Sequence, residues 1–418
     1  MTSFLIHNFG CRVNQAEAFL WADEFQRRGL RLEKDLARSD YILVNTCTLT
    51  SRADRDVKKF LKKVARINPK AKLIVTGCSV EQMPEQFLRN PQVWLQASNR
   101  EKNELGPKIL SLISPKEKII PLPYRSRAFL KIQDGCDFRC TFCIIPRVRG
   151  RSQSFESEEI IAQVQRFVAQ GFKEIVLSGI HLCSYGLDLR PRSSLLELLK
   201  ALESLDGLGK IRLSSLDPRF LETPLLEHLT HSPKICQHFH LSLQYGSDRV
   251  LVQMGRRNKV EDYKAHLDYL HRASPNASLG ADIIVGFPGE TEADFAETYS
   301  FLGQSPLTYF HVFSYSPREG TPASTWPQVA EKTKKERSAL LRELSKEKNF
   351  EFRRLFLNRK CEGIVIKKEN GKAEVLTYNY IKVSVPTGVE HEGEELTVKI
   401  TRVTPEKTAG EILRQLHE

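Results

Sequence analysis

The chain has 418 residues, 40% hydrophobic and 27% charged, with 63 lysines and arginines against 51 acidic residues, a formal charge of +12. This composition excludes a disordered chain or a disulfide-stapled miniprotein, leaves room for two or three domains with filled cores, and suits a polyanionic partner. Nine cysteines, an odd number, without a long apolar run argue against a membrane or secreted protein and for a reducing cytoplasm, where thiols serve metals rather than disulfides.

Met1 leads straight into an apolar strand, so no targeting segment is expected. Strands are predicted at Phe4–Phe9, Tyr41–Asn45 and Lys72–Thr76, with helices near Asn14–Arg28 and Arg52–Ile67 between them. This βαβαβ order predicts a parallel sheet with packed helices. Each strand runs into a cysteine: FGC ends at Cys11, NTC at Cys47 and TGC at Cys78. Ligands of open α/β sheets gather beyond the carboxyl ends of the strands, so residues 36 and 31 positions apart can meet in space. Buried structural thiols are the alternative, but three cysteines in the same structural position favour a metal site. The helix Arg52–Ile67 carries an apolar stripe of Val57, Phe60, Leu61 and Val64. Its other faces are so basic that residues 52–72 hold nine cations against two acids, which is either a solvated surface or a track for nucleic acid.

The proline-rich stretch SPKEKIIPLPYR, Ser114–Arg125, reads as a linker. Beyond it strands are predicted at Ala128–Gln133, Glu174–Leu177, Ile211–Ser214, His238–Leu243, Ala281–Val285 and Tyr309–Phe313. Helices alternate with them, among them Ser157–Ala169, Ser194–Leu205 and Val260–Ala273. Six βα units predict an incomplete parallel barrel with its function at the C-terminal mouth. After the first of these strands comes GCDFRCTFCIIPRVRGRSQS. Cys136, Cys140 and Cys143, spaced C-x3-C-x2-C, can hold three irons of a four-iron cluster and leave the fourth open for a small molecule. A zinc knuckle is the alternative, but it would want a fourth ligand and no histidine lies between Gln133 and Gln153. Arg125, Arg127, Lys131, Arg139, Arg147, Arg149 and Arg151 surround this loop and would favour an electron-rich cluster or an anionic substrate. The turns LSGIHL, LSLQYGS and GFPGETEADF follow strands at the same end, and Thr291 is a good helix N-cap. His238 and His240 are expected to line the barrel, and Cys183, Cys236 and Cys361 to be structural.

A charged helical connector is expected from Gln328 to about Asn358. The last sixty residues alternate strand-like runs with turns and predict a small antiparallel barrel of the oligonucleotide-binding sort. The charge of residues 359–418 balances to zero, so the basic excess lies elsewhere in the chain.

With these residues in view, the chain resembles the radical S-adenosylmethionine (SAM) methylthiotransferases over essentially its whole length. The matching motifs are FGCRVNQAE, NTC, TGC, CDFRCTFCIIPRVRGRS, LSGIHLCSYG, LQYGSDRVL and DIIVGFPGETEADF. The resemblance implies an N-terminal domain (1–113), a partial (βα)6 radical SAM barrel (126–330), a connector helix (331–358) and a TRAM-like β-barrel (359–418). It implies two [4Fe-4S] clusters, one on Cys136, Cys140 and Cys143 and an auxiliary one on Cys11, Cys47 and Cys78, with SAM contacts at Phe142, Gly179, Ser215 and Gln244. FGCRVNQAE, PKICQHFHLSLQ and NYIKV look most like the branch acting on N6-threonylcarbamoyladenosine (t6A) at tRNA position 37. The isopentenyladenosine branch and the branch acting on a ribosomal-protein aspartate stay open as alternatives, as does a non-catalytic iron–sulfur RNA binder. The implied partners are the anticodon loop of ANN-decoding tRNA and a flavodoxin- or ferredoxin-like electron donor, with no membrane. Tyr245 and Asp217 depart from the family pattern of Ser and Glu, and either is a candidate for altering the pocket wall.

Overall fold

Short, doubly apolar runs make buried parallel strands, and the computed structural model, which describes residues 2–113, 126–386, 388 and 391–413, has them where the sequence does. β1 (Ser3–Asn8), β2 (Arg31–Leu32), β3 (Tyr41–Thr46), β4 (Lys72–Gly77) and β5 (Val93–Ala97) form one parallel sheet in the order β2-β1-β3-β4-β5. The two edge strands were not expected. β2 is two residues long, and β5 (VWLQA) is half-buried and carries a glutamine. Helix α1 (Arg12–Arg27) packs on one face with helix Lys102–Ile113, joining Trp21 and Phe25 to Leu105 and Ile109. Helix α2 (Ser51–Ile67) covers the other face with the predicted stripe of Val57, Phe60, Leu61 and Val64.

The linker expected at 114–125, with Arg125, lies outside the described residues. Next come β6 (Ala128–Lys131), the short antiparallel pair β7 (Gln133–Asp134) and β8 (Gln153–Ser154), then β9 (Glu174–Ser178), β10 (Lys210–Leu213), β11 (His238–Gln244), β12 (Ser278–Val285) and β13 (Tyr309–Ser314). The six long strands fall into parallel triplets, β6-β9-β10 and β11-β12-β13. Parallel bridges Ile211–Ile235 and Leu216–Leu241 stitch the triplets into one curved sheet. Side chains alternate across it. Phe239, Leu241, Leu279, Ala281, Ile283 and Phe310 face the helices in the main core, whereas His238, His240, Asp282, Tyr309 and His311 alternate with them and face the lumen. Ala16 and Phe19 of α1 join this second core beside Ala128 and Phe129, so α1 belongs to both halves and covers the β6 edge.

The charged helix Glu331–Arg354 lies against β13, where Ser345 and Phe310 exchange hydrogen bonds. β14 (Lys360–Glu369), β15 (Lys372–Thr377), β16 (Lys382–Pro386), β17 (Glu395–Val403) and β18 (Thr408–Ile412) close into a barrel in the order β14-β15-β16-β18-β17. β18 (TAGEI) was not expected, since its glycine and polar residues hide it, and it meets β16 in parallel. Among the described residues no helix is long and apolar enough to cross a membrane.

Candidate active site

The strand ends of the first sheet gather three thiols because two glycines let the backbone approach closely. Gly10 has φ +93°, and a Cβ there would stand 2.6 Å from Cys47 Cβ. Gly77 has φ +104° and packs directly on the Thr46 backbone. Cys11 caps α1, Cys47 follows β3, and Cys78 opens the short helix after β4. Burial pushes the Cys47 thiol up to about 12, with Cys11 and Cys78 adding to the effect. Cys11 is likewise raised by burial and by Cys78, against the pull of the Arg149 guanidinium. Asn14 fastens the arrangement by donating to Phe9 O at 2.8 Å and Thr46 O at 3.0 Å, next to Cys11 and Cys47.

The second trio sits on the loop that leaves β7. Gly135, at φ +66°, presses on the Arg151 carbonyl so that the loop can cross itself, and Cys136 N donates to Gly150 O at 3.1 Å. Thr141 anchors the middle of the loop to Met254 O and Gln253 O. Burial, with Cys140 and Cys136, raises Cys143 to about 12, and burial also raises Cys136.

One turn of helix, Ile145–Arg149, separates the two trios. Ile144 and Val148 pack directly on Cys78, and Asn99 donates to Val148 O at 2.6 Å and to Cys78 Sγ at 3.7 Å. Arg149, its side chain 1% exposed, donates to Asp134 at 2.7 and 2.9 Å, to Glu17 at 3.1 Å and to Asn14. Lys102 and Lys131 complete this buried network on Glu17 at 2.6 and 3.2 Å. Burial alone would raise Glu17, but Arg149, Lys102 and Lys131 outweigh it and hold the carboxyl well below its usual range. Three cations face two carboxylates here, and among the described residues Arg149 Nε is buried without a hydrogen-bond partner. A spare positive charge and an orphaned donor beside thiols fit an anionic iron–sulfur cluster, whose sulfides accept hydrogen bonds. Among the described residues no three His, Cys, Asp or Glu side chains are grouped to hold a single metal ion. One zinc draws its sulfurs to about 2.3 Å from a common point, whereas a four-iron cluster is larger and its thiolates stand farther apart.

The other expected SAM contacts have mixed surroundings. Phe142 is half-buried against the cluster of Tyr245, Met254 and Phe287. Gly179 follows β9, where a Cβ would come 3.0 Å from Leu182 Cα, so packing also favours a glycine. Ser215 is exposed at the end of β10, and Gln244 ends β11 with φ +78°. The two departures from the family pattern do not form a pocket wall. Tyr245 is fully buried in that apolar cluster, and Asp217 is buried under Arg219 (2.6 Å), His181 (3.1 Å) and Arg256 (3.3 Å). Arg219 in turn lies 4.1 Å from the Phe138 ring centroid, beside Cys136 and Cys140. The GFPGE turn is held by Glu290, which accepts from Gly286 N and Phe287 N and pairs with Arg337 of the connector helix. Of the arginines expected around the loop, Arg127 instead pairs with Glu174 low in the sheet, and Arg151 is almost fully exposed. Cys183, Cys236 and Cys361 are buried singly. Sequence reading missed Asn14, Glu17 and Lys102. The signal was present in FGCRVNQAE, whose Asn and Glu fall on the buried side of α1, where polar residues need a reason.

Residues 130–302 match the family model described as the Radical SAM superfamily, and residues 3–96 match the uncharacterized protein family UPF0004. Among solved structures, the cobalamin-containing radical SAM methyltransferase TsrM of Kitasatospora setae is similar in fold, with a TM-score of 0.54 at 14% identity over 78% of this chain and 77% of that one. Sheet, cysteine loop and family model together define a radical SAM protein. Curated relatives give the branch: the threonylcarbamoyladenosine tRNA methylthiotransferases MtaB of Aquifex aeolicus (35% identical, covering 94% of this chain and 98% of that one) and Bacillus subtilis (33%, 100% and 98%). The chain belongs to this MtaB family of radical SAM methylthiotransferases.

Proposed function

We propose that the protein methylthiolates C2 of t6A at position 37 of tRNA, in the anticodon loop of ANN-decoding tRNAs. The observation that carries the reading is the packing of Cys78 on Ile144 and Val148, directly after Cys143, which sets two cysteine trios against one short helix. The names of the relatives supply the nucleoside.

In this reading Cys136, Cys140 and Cys143 hold the SAM-binding cluster, and Cys11, Cys47 and Cys78 hold the auxiliary one. With both in place, the clusters would supply the electron that cleaves SAM and the sulfur inserted at C2. The protein's own part is to bind and orient. Arg219 and Arg149 keep positive charge at the two sites. Phe142, Gly179, Ser215 and Gln244 border the space for SAM. The lumen takes a base drawn out of the RNA loop, where unstacked bases are accessible. The division into residues 1–113, 126–330, 331–358 and 359–418 belongs to the same proposal, as do a cytoplasmic location and a flavodoxin- or ferredoxin-like reductant. Nucleoside analysis of tRNA from a deletion strain tests it: 2-methylthio-t6A disappears while 2-methylthio-isopentenyladenosine persists. The reverse outcome assigns the chain to the isopentenyl substrate.

A further inference from the structure

Most cations of the lumen have carboxylate partners. Arg212 is clasped by Glu174 at 2.8 and 3.1 Å, Arg127 shares that carboxylate at 3.1 Å, Lys131 rests on Glu17 and Asp134, and Arg256 on Asp217. Arg12, the residue after Cys11, is different: among the described residues no carboxylate pairs with it. Its guanidinium donates to the Tyr380 hydroxyl at 2.8 Å and to Gln15 Oε1 at 3.2 Å, both neutral, and lies 6.0 Å from the centroid of Phe129. A half-buried guanidinium without a counter-charge is costly, so its place in a cavity calls for an anion.

The surroundings hold Arg12 toward the lumen rather than toward solvent. Tyr380 comes from the C-terminal barrel and stacks on His238 at 3.8 Å and 11°. It adopts φ +71°, a left-handed conformation that a bulky residue keeps only where its neighbours over-determine it. His238 and His240 both hydrogen-bond the Tyr309 hydroxyl, at 2.8 and 3.1 Å, and His240 also pairs with Asp282. Farther along the same wall His311 and Phe313 are exposed to the open space. Burial lowers His238 and His311, and Arg212 beside them is already paired with Glu174, so among the described residues Arg12 is the permanent cation there without a carboxylate.

We propose that Arg12 binds the carboxylate of the threonylcarbamoyl group and thereby sets which modified adenosine is accepted. This rests on the t6A reading above. C2 and the N6 substituent flank N1 on one edge of adenine, so a base that turns C2 toward a sulfur site at Cys11 also turns its N6 group toward the neighbouring residues. A guanidinium takes a carboxylate with two parallel hydrogen bonds. An isopentenyl group offers no anion and would leave the half-buried Arg12 without a counter-charge.

The test uses reconstituted full-length protein and synthetic anticodon stem-loops carrying either t6A or its neutral threonyl carboxamide. Dissociation constants are read by fluorescence anisotropy, and iron and sulfide counts check the fold of each variant. Wild type should bind the acid roughly 10- to 100-fold tighter than the carboxamide, the range for a charged hydrogen-bonded pair. Arg12→Gln should bring that ratio near one by weakening the acid alone. Arg12→Lys should retain part of it, and Tyr380→Phe, which only frees the guanidinium, should lower it less than Arg12→Gln. An Arg12→Gln protein that keeps the wild-type ratio overturns the assignment, as does a wild type that methylthiolates t6A yet binds both RNAs equally. A wild type that modifies only isopentenyladenosine overturns the substrate reading itself, a separate result.

Discussion

Replacing Arg149 by methionine removes the guanidinium that ties the two cysteine sites together while keeping the apolar stem. The loss can be worked out from its partners. Asp134 would still have Lys131 at 2.9 Å, and Glu17 would still have Lys102 at 2.6 Å and Lys131 at 3.2 Å. No carboxylate is orphaned, so the cost falls at the lower end of the 3–5 kcal/mol typical of broken buried pairs, about 3 kcal/mol. With a urea dependence of about 3 kcal/mol per molar, the unfolding midpoint of the apoprotein should drop by about 1 M. Arg149→Lys should recover part of that drop, because one charge remains though the fork does not. After anaerobic reconstitution, the methionine variant should lose iron selectively from the site of Cys11, Cys47 and Cys78, because it lacks the guanidinium that favours the thiolates of Cys11 and Cys47. A methionine variant with the wild-type midpoint and full iron would refute the view that this network supports the auxiliary site.

Three further outcomes follow from the same geometry. Cys11→Ala and Cys140→Ala should each remove about one cluster's worth of iron and leave the other site filled, since each deletes one of three protein ligands; loss of both clusters from either variant would contradict two independent sites. Gly10→Ala forces a side chain into a left-handed backbone 2.6 Å from Cys47 Cβ, so it should cost roughly 2 kcal/mol or more and abolish auxiliary iron, read by the same counts. Burial by itself would raise Glu174, but Arg212 and Arg127 bring it down to about 2, so its contribution of about 3 kcal/mol is full above pH 4.5 and is lost as the pH falls toward 2; Glu174→Gln should flatten the acid limb of a stability-versus-pH titration.

The parts legible in the sequence are those whose signal is local. Near-continuous apolar runs announced β1, β3 and β4, and strands followed by helices announced all six long strands of the second sheet. Contiguous spacing announced Cys136, Cys140 and Cys143. The trio of Cys11, Cys47 and Cys78 was readable only through the rule that places ligands at strand ends, because no short spacing joins them. Strands β2, β5 and β18 escaped, being too short, too polar or broken by glycine to show a period. The buried network escaped for another reason. Glu17, Lys102, Lys131 and Arg149 come from four separate elements, and nothing in a one-dimensional pattern marks four charged residues as neighbours when each looks like ordinary surface charge. The same blindness misplaced Arg127, which reads as part of the cluster loop but neutralises Glu174.

The placement of α1 connects these observations. An incomplete barrel leaves an open side, and a radical site needs that side closed to water. Here α1 covers the edge of β6 with Ala16 and Phe19, while Cys11 caps it and its first two turns carry Arg12, Asn14 and Glu17. One helix therefore supplies part of the barrel's wall, a cation that among the described residues has no carboxylate partner, and a carboxylate that holds Arg149. Tyr380 reaches the same place from the C-terminal barrel and accepts a hydrogen bond from Arg12. This Arg12–Tyr380 contact forms only when both flanking parts are docked. The basic helix α2 begins four residues beyond Cys47, and Asp54 in its first turn pairs with Arg318, which follows β13, at 2.6 Å. Packing of α1 into both cores thereby fixes one end of the Arg12–Tyr380 contact.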